Sequence, residues 1–305
     1  MTMTNQTLVP HLWYDKEAKE AAAFYTSIFP NSGIMYETTL QDTPSGDCDL
    51  ISFELWGRKF MAISAGPFFK FNPSLSFMVH FDSSREKDAG EKLNEMWSRL
   101  SEGGTVLMPL DTYPFSDRYG WIQDKYGLSW QLMLTNPERE EWPPLVPSLM
   151  FTGDKYGRAE AAIHFYLSAF KHSELGQMVR YPKEVEPDNK GAVMYSDFML
   201  ENQWFAAMDS AGEHQFRFNE AVSFMVYCDN QEEINYYWEK LSAVPESEQC
   251  GWLKDKYGLS WQIVPKQMDE MMSCGTPEQI GRVNQAVLKM KKLDLAELQA
   301  VYEEN

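Results

Sequence analysis

Gly120-Trp-Ile-Gln-Asp-Lys-Tyr-Gly-Leu-Ser-Trp-Gln-Leu-Met133 returns almost letter for letter as Gly251-Trp-Leu-Lys-Asp-Lys-Tyr-Gly-Leu-Ser-Trp-Gln-Ile-Val264. A long segment repeated at this fidelity marks a duplicated chain, and missing a duplication miscalls the whole fold. Further pairs follow in the same order: Leu8-Val-Pro10 with Leu145-Val-Pro147, Phe24-Tyr25 with Phe165-Tyr166, and Ser76-Phe-Met-Val79 with Ser223-Phe-Met-Val226. These set a first domain over 1–134, a polar, proline-containing linker over 135–144, a second domain over 145–265 and a tail over 266–305.

Inside each copy, alternating apolar residues mark strands and three-to-four spacing marks helices. Leu8–Tyr14 reads as a strand and Lys16–Phe29 as a helix stopped by Pro30-Asn-Ser-Gly33. Strands near Gly33–Thr39, Leu50–Leu55 and Lys59–Ser64 follow, the last two joined by the short turn Trp56-Gly57-Arg58. The pattern restarts at Ser76–Phe81, with a helix over Glu91–Leu100 and strands near Thr105–Leu110, Tyr119–Gln123 and Leu128–Leu134. Each copy is thus two βαβββ units, and a curved sheet built from paired units leaves a cleft. The last unit of the second copy is abbreviated, because only Ser242 to Cys250 separates its helix from Gly251. In the tail, Thr276-Pro-Glu-Gln279 and Asp294-Leu-Ala-Glu297 read as helix starts, and the amphipathic helices are expected to pack on the second domain or on another subunit.

The chain has 305 residues and a formal net charge of -18. That length supports two cores, and that charge repels phosphate backbones and anionic lipid, so neither nucleic acid nor membrane is an expected partner. No apolar run is long enough to cross a bilayer and the start lacks the pattern of a secretory signal, so the expected location is cytoplasmic. Cys48, Cys228, Cys250 and Cys274 are scattered, which suggests neither a disulfide framework nor a thiolate zinc site.

Taken together, Val9-Pro-His-Leu-Trp-Tyr-Asp15, Phe24-Tyr-Thr-Ser-Ile-Phe-Pro-Asn31, Phe69-Lys-Phe-Asn-Pro73, Gln249-Cys-Gly-Trp-Leu-Lys-Asp255 and Leu288-Lys-Met-Lys-Lys-Leu-Asp-Leu295 carry a resemblance over nearly the whole chain. The chain resembles the vicinal oxygen chelate superfamily of glyoxalases, bleomycin-resistance proteins and dioxygenases, in its PhnB-like branch, whose domains bear a 3-demethylubiquinone methyltransferase label. The resemblance implies an α+β fold of two tandem glyoxalase-like domains, each a curved mixed sheet around a cleft, followed by the helical tail. It also implies that duplication makes a pseudo-dimer within one chain, while the tail leaves a homodimer open. The methyltransferase label finds no support, because Glu102-Gly-Gly104 follows a helix and lacks the strand-to-helix context of a nucleotide-binding turn.

Relatives of this fold hold a divalent metal with histidine and glutamate ligands from first and last strands. The corresponding carboxylate positions here are Met61, Gln131, Ala206 and Gln262, and the first-strand positions fall at Leu8 or Val9 and Leu75 or Ser76. None is a strong ligand, so no metal and no cofactor is expected. Asp42, Asp47 and Asp49 read as a solvated loop, and His11 and His80 as buried or rim residues. Alternation turns Gln131 and Gln262 away from Trp130 and Trp261. If those tryptophans lie under a helix, the glutamines look into the clefts, among Trp13, His80, Trp121, Tyr227 and Trp252. An amide among aromatic walls suits a small polar or planar ligand, and equally suits a structural bond to a neighbouring strand. Three functions stay open: metal-free binding of a small molecule, a metal-dependent lyase, isomerase, epimerase or dioxygenase, and an assembly protein with inert clefts.

Overall fold

A computed structural model describes residues 6–135, 142–182 and 191–304. The α+β class holds, with helices packed on two mixed sheets. The first sheet runs β14-β15-β13-β1-β4-β3-β2, formed by β1 (Leu8–Tyr14), β2 (Gly33–Thr43), β3 (Gly46–Leu55), β4 (Arg58–Ser64), β13 (Val222–Cys228), β14 (Trp252–Lys254) and β15 (Ser260–Pro265). The second runs β10-β11-β12-β9-β5-β8-β7-β6, formed by β5 (Leu75–Asp82), β6 (Thr105–Tyr113), β7 (Ser116–Gln123), β8 (Ser129–Thr135), β9 (Leu145–Phe151), β10 (Glu174–Arg180), β11 (Val193–Leu200) and β12 (Gln203–Asp209).

These sheets cut across the repeat. The chain divides into a first unit of residues 1–70 and 219–305 and a second of 71–218, so each sheet takes one βαβββ unit from each copy. The expected division at 134 and 145 follows the duplication in sequence; the compact units follow strand pairing. β1 pairs antiparallel with β13 and β5 with β9, so the first unit of the first copy joins the last unit of the second. The expected linker lies partly outside the described residues, and Trp142 and Pro143 at its end belong to the second unit.

The repeated segment is explained by what its aspartate does. In the second unit Asp124, buried, accepts from the backbone N–H of Tyr126 and Leu128 and from Trp130 Nε1 at 2.8 Å. In the first unit Asp255 accepts in the same way from Tyr257, Leu259 and Trp261 Nε1. One carboxylate therefore closes the turn and fixes the orientation of a fully buried tryptophan, and Gly127 and Gly258 supply the left-handed backbone at φ +87° and +92°. Gly120 is needed for a different reason: a Cβ there would meet the Trp97 ring at 2.5 Å.

The two tryptophans lie on the helix-covered faces, Trp130 against Phe77 and Trp261 against Phe224. Those faces are covered by α1 (Ala18–Ile28), α2 (Ala89–Ser101), α3 (Ala159–Ala169) and α4 (Gln231–Leu241), which bury small or aliphatic residues such as Ala21, Ala22, Leu93 and Ile234. Asp42, Asp47 and Asp49 are not in an irregular loop. They sit on or beside the β2–β3 hairpin, where Asp49 accepts from Thr39 Oγ1 and Asp47 from the Asp42 N–H.

The tail forms α5 (Gln267–Cys274), α6 (Pro277–Val287) and α7 (Leu295–Glu303). Thr276 and Gln279 make a full capping box and Asp294 caps α7. These helices pack within the first unit on strands of both copies: Asn284 donates to the Gln41 carbonyl on β2, and Met271, Val283 and Leu293 share a core with Val9 and Met61 of the first copy and Met225, Tyr227 and Val264 of the second. No described helix is long and apolar enough to cross a membrane.

Candidate functional site

In the first unit, the sheet face turned from α1 and α4 is roofed by the tail helices and encloses a cavity of about 590 Å³. That is the size of a pocket for a drug-sized molecule. Trp13, Tyr227, Trp252 and Gln262, four of the seven residues singled out from sequence, line it together. Their rings form a wall: Trp13 meets Trp252 at 6.0 Å and Phe69 at 5.2 Å, and Trp252 lies edge-on to His11 at 5.5 Å. Met61, Met225, Met268 and Met272 fill the rest with adaptable apolar surface.

The floor is a row of short polar side chains crossing the strands. Ser52 pairs with Met61, Met61 with His11, His11 with Ser223, and the pairing of Phe224 with Trp261 sets Ser223 beside Ser260. Gln262 donates from Nε2 to Ser223 Oγ at 3.0 Å. Three atoms of this row, Ser52 Oγ, His11 Nδ1 and Ser260 Oγ, are buried without a hydrogen-bond partner. Nor does any described residue donate to Gln262 Oε1. Burial alone pulls the His11 imidazole down to about 3, so it is neutral at physiological pH.

At the rim, sequence reasoning missed a cluster held by the tail. Asp269 on α5 accepts from Tyr36 Oη at 3.0 Å and pairs with Lys59 at 2.5 Å. The Lys59 ammonium lies 5.0 Å over the Tyr227 ring. Burial first, and the nearby carboxylate next, hold the Tyr227 hydroxyl well above the usual tyrosine range, and Tyr36 is raised by burial too. Both therefore serve as hydrogen-bond donors. Nothing in the local pattern around Asp269 connects it to strands more than two hundred residues earlier, so no sequence signal could have found this cluster.

The other three expected residues lie in the second unit, where Gln131 and Trp121 are spent on internal bonds. Gln131 donates to Ser76 Oγ at 2.7 Å and accepts from Tyr119 Oη at 2.7 Å. Trp121 Nε1 donates to Ser129 Oγ at 2.7 Å. His80 contacts the Pro143 carbonyl through Nδ1 at 2.9 Å and lies against Trp142, while its Nε2 has no partner. This floor has the same layout as the first, Ser129, Ser76 and Ser148 answering Ser260, Ser223 and His11. Tyr119 and the Trp121 indole satisfy it; in the first unit Cys250 replaces the tyrosine and Trp252 turns to His11 instead.

The family's metal positions do not fit a divalent ion. Met61 lies beside Tyr36 Oη, Gln131 and Gln262 are bonded to serines, and Ala206 carries no donor. Among the described residues no three histidine, cysteine, aspartate or glutamate side chains converge. A thioether, a methyl and two neutral amides offer none of the anionic oxygen or imidazole donors such an ion needs.

The family model described as 3-demethylubiquinone-9 3-methyltransferase matches residues 6–133 and again 143–264. No curated protein matches the chain. Among solved structures, the PhnB protein from Bacillus cereus is 33% identical over 43% of this chain and 100% of its own, with a TM-score of 0.38. Glyoxalase I from Zea mays is 13% identical over 86% of this chain and 95% of its own, at a TM-score of 0.53, a likeness of fold. The fosfomycin resistance protein from Listeria monocytogenes is 15% identical over 42% of this chain and 91% of its own, at 0.31.

Proposed function

Since the chain belongs to the family described as 3-demethylubiquinone-9 3-methyltransferase, on a vicinal-oxygen-chelate fold duplicated in tandem, we propose that it binds a small molecule in the first-unit cavity without a metal. The observation that carries this is the cavity itself, about 590 Å³ walled by Trp13, Trp252 and methionines over a floor where His11 has no second histidine or acid converging with it into a metal-binding set among the described residues. Apolar walls with a few placed polar groups are the usual build of a ligand site.

Methyl transfer from a nucleotide-type donor has no support in the residues. Gly103 and Gly104 follow α2 and lead into β6, and a Cβ on Gly104 would meet the Gln123 carbonyl at 2.4 Å, so this glycine serves close packing of two backbones. A phosphate cradle needs the opposite order, strand then helix.

The test is a neutral aromatic compound library read by tryptophan fluorescence, with metal analysis of the same purified protein. Quenching is expected in the wild type and is expected to vanish in Leu50→Trp, which fills the cavity from a half-buried wall position. One tightly held divalent ion per chain, or no response to any compound, would overturn the reading.

A further inference from the structure

The polar atoms left open on the first-unit floor say which molecules the cavity takes. An unpartnered buried donor or acceptor costs roughly 1–3 kcal/mol, and such groups in a native protein call for an explanation. Here Ser260 Oγ and His11 Nδ1 are two such atoms in one neighbourhood of the sheet, and the Gln262 amide, which donates to Ser223, lines the cavity beside them and the Trp252 ring. The fold does not impose this cost at the serine and glutamine positions. In the second unit Trp121 donates to Ser129 and Tyr119 to Gln131.

The charges around the cavity narrow the class further. Asp269 is paired with Lys59, and Glu220 with Lys254 at 2.6 Å, so these acids are already compensated. Among the described residues the remaining charged lining residue is Glu246, and no lysine or arginine lines the cavity. An anion entering would lose its hydration with no cation to receive it. The imidazole, neutral in this setting, has one nitrogen that donates and one that accepts.

The geometry points to a neutral, planar, mostly apolar ligand that carries a hydroxyl, carbonyl or amide edge, seated on the aromatic wall with that edge on Ser260, Gln262 and His11. This assignment rests on the binding role proposed above and adds the chemical class and the side chains that select it.

Equilibrium dialysis of the full chain against naphthalene, 2-naphthol and 2-naphthoate separates the two ideas. The wild type is expected to hold 2-naphthol about tenfold more tightly than naphthalene, the equivalent of ~1.4 kcal/mol, and 2-naphthoate more weakly than either. Ser260→Ala and His11→Leu are each expected to cut the preference for 2-naphthol severalfold while leaving naphthalene bound as before. Both variants remove a buried group that has no protein partner, so folding should survive. Equal binding of naphthalene and 2-naphthol in the wild type, a preference that persists in both variants, or tightest binding of 2-naphthoate would each overturn the assignment while leaving the cavity a binding site. If none of the three binds, the binding role itself falls, and the assignment with it.

Discussion

Asp255→Asn changes one atom of the repeated segment, and its effect can be worked out bond by bond. The wild-type carboxylate is buried, one oxygen taking the backbone N–H groups of Tyr257 and Leu259 and the other taking Trp261 Nε1 at 2.8 Å. All three partners are donors. An asparagine must turn its NH2 towards one side, and the cheaper choice sets it against the indole N–H. That forfeits a hydrogen bond to a charged acceptor, about 1.5–3 kcal/mol, and leaves two buried donors face to face, for a total of about 3 kcal/mol. Trp261→Phe removes the indole N–H while keeping most of the ring. In that background the clash is gone, and Asp255→Asn should cost only about 1 kcal/mol, a coupling of roughly 2 kcal/mol between adjoining side chains. Urea unfolding followed by far-UV circular dichroism reads these values as midpoint shifts at unchanged slope. If Asp255→Asn costs the same with and without the indole nitrogen, the carboxylate is not what fixes the tryptophan. The matching pair in the second unit, Asp124 and Trp130, should give the same cycle.

Two further outcomes follow from charge. His11 is held neutral by burial, its folded value pulled down to about 3 against an unfolded value near 6.5, so the unfolded chain binds the extra proton first. Stability is therefore complete above pH 6.5, falls with acid by up to ~1.4 kcal/mol per pH unit, and stops falling from this source near pH 3. His80, lowered to about 4, adds to the same slope, and His11→Leu should flatten the pH dependence of the urea midpoint; an unchanged slope would mean that the imidazole is hydrated. Asp269→Ala strands the Lys59 ammonium, only 13% exposed, and removes the acceptor of Tyr36, so it should cost about 3 kcal/mol and speed tryptic cleavage within the tail. Asp269→Asn keeps an acceptor and should do less; equal cleavage rates in all three proteins would show that α5 is held by its apolar contacts alone.

The order of elements was legible because it is written in local periodicity. The duplication, the strand–helix–strand succession, the capping box at Thr276 and the aspartate cap at Asp294 all stand where their residue types place them. Strand partners are a different matter. The first strand of a unit can pair with either neighbouring unit at similar apolar cost, so alternation in β1 and β13 carries no address. The acidic hairpin around Asp47 was hidden because its outward face is polar on both strands and masks alternation. The two glutamines are the sharper case. Gln131 and Gln262 stand in the same Leu-Ser-Trp-Gln context, and both face away from their tryptophans. What separates them is the residue that donates to one and not the other, Tyr119 against Cys250, twelve positions upstream in each copy.

That exchange has a structural origin in the abbreviated last unit. In the second unit β6 lies along the edge of β7 and pairs Asp111 with Tyr119, between register shifts on either side, so a strand neighbour meets the backbone at that point. The first unit has no strand in that position among its described residues, and β14 is only three residues long. The vacant backbone groups are met by the tail instead: the Cys250 N–H donates to the Met290 carbonyl at 2.8 Å and the Gly251 N–H to Lys291 at 2.7 Å. Cys250 and Gly251 both take left-handed backbone there, at φ +55° and +84°, a bend that a ladder does not allow. A segment bent in this way no longer presents a side chain from position 250 to the glutamine. The same tail that repairs the edge also roofs the sheet with Met268, Met272 and Val287. The absent edge strand and the helical tail thus act together in this unit, which leaves Ser260 and His11 without partners beneath the tail, while Tyr119 and Trp121 satisfy Gln131 and Ser129 in the other.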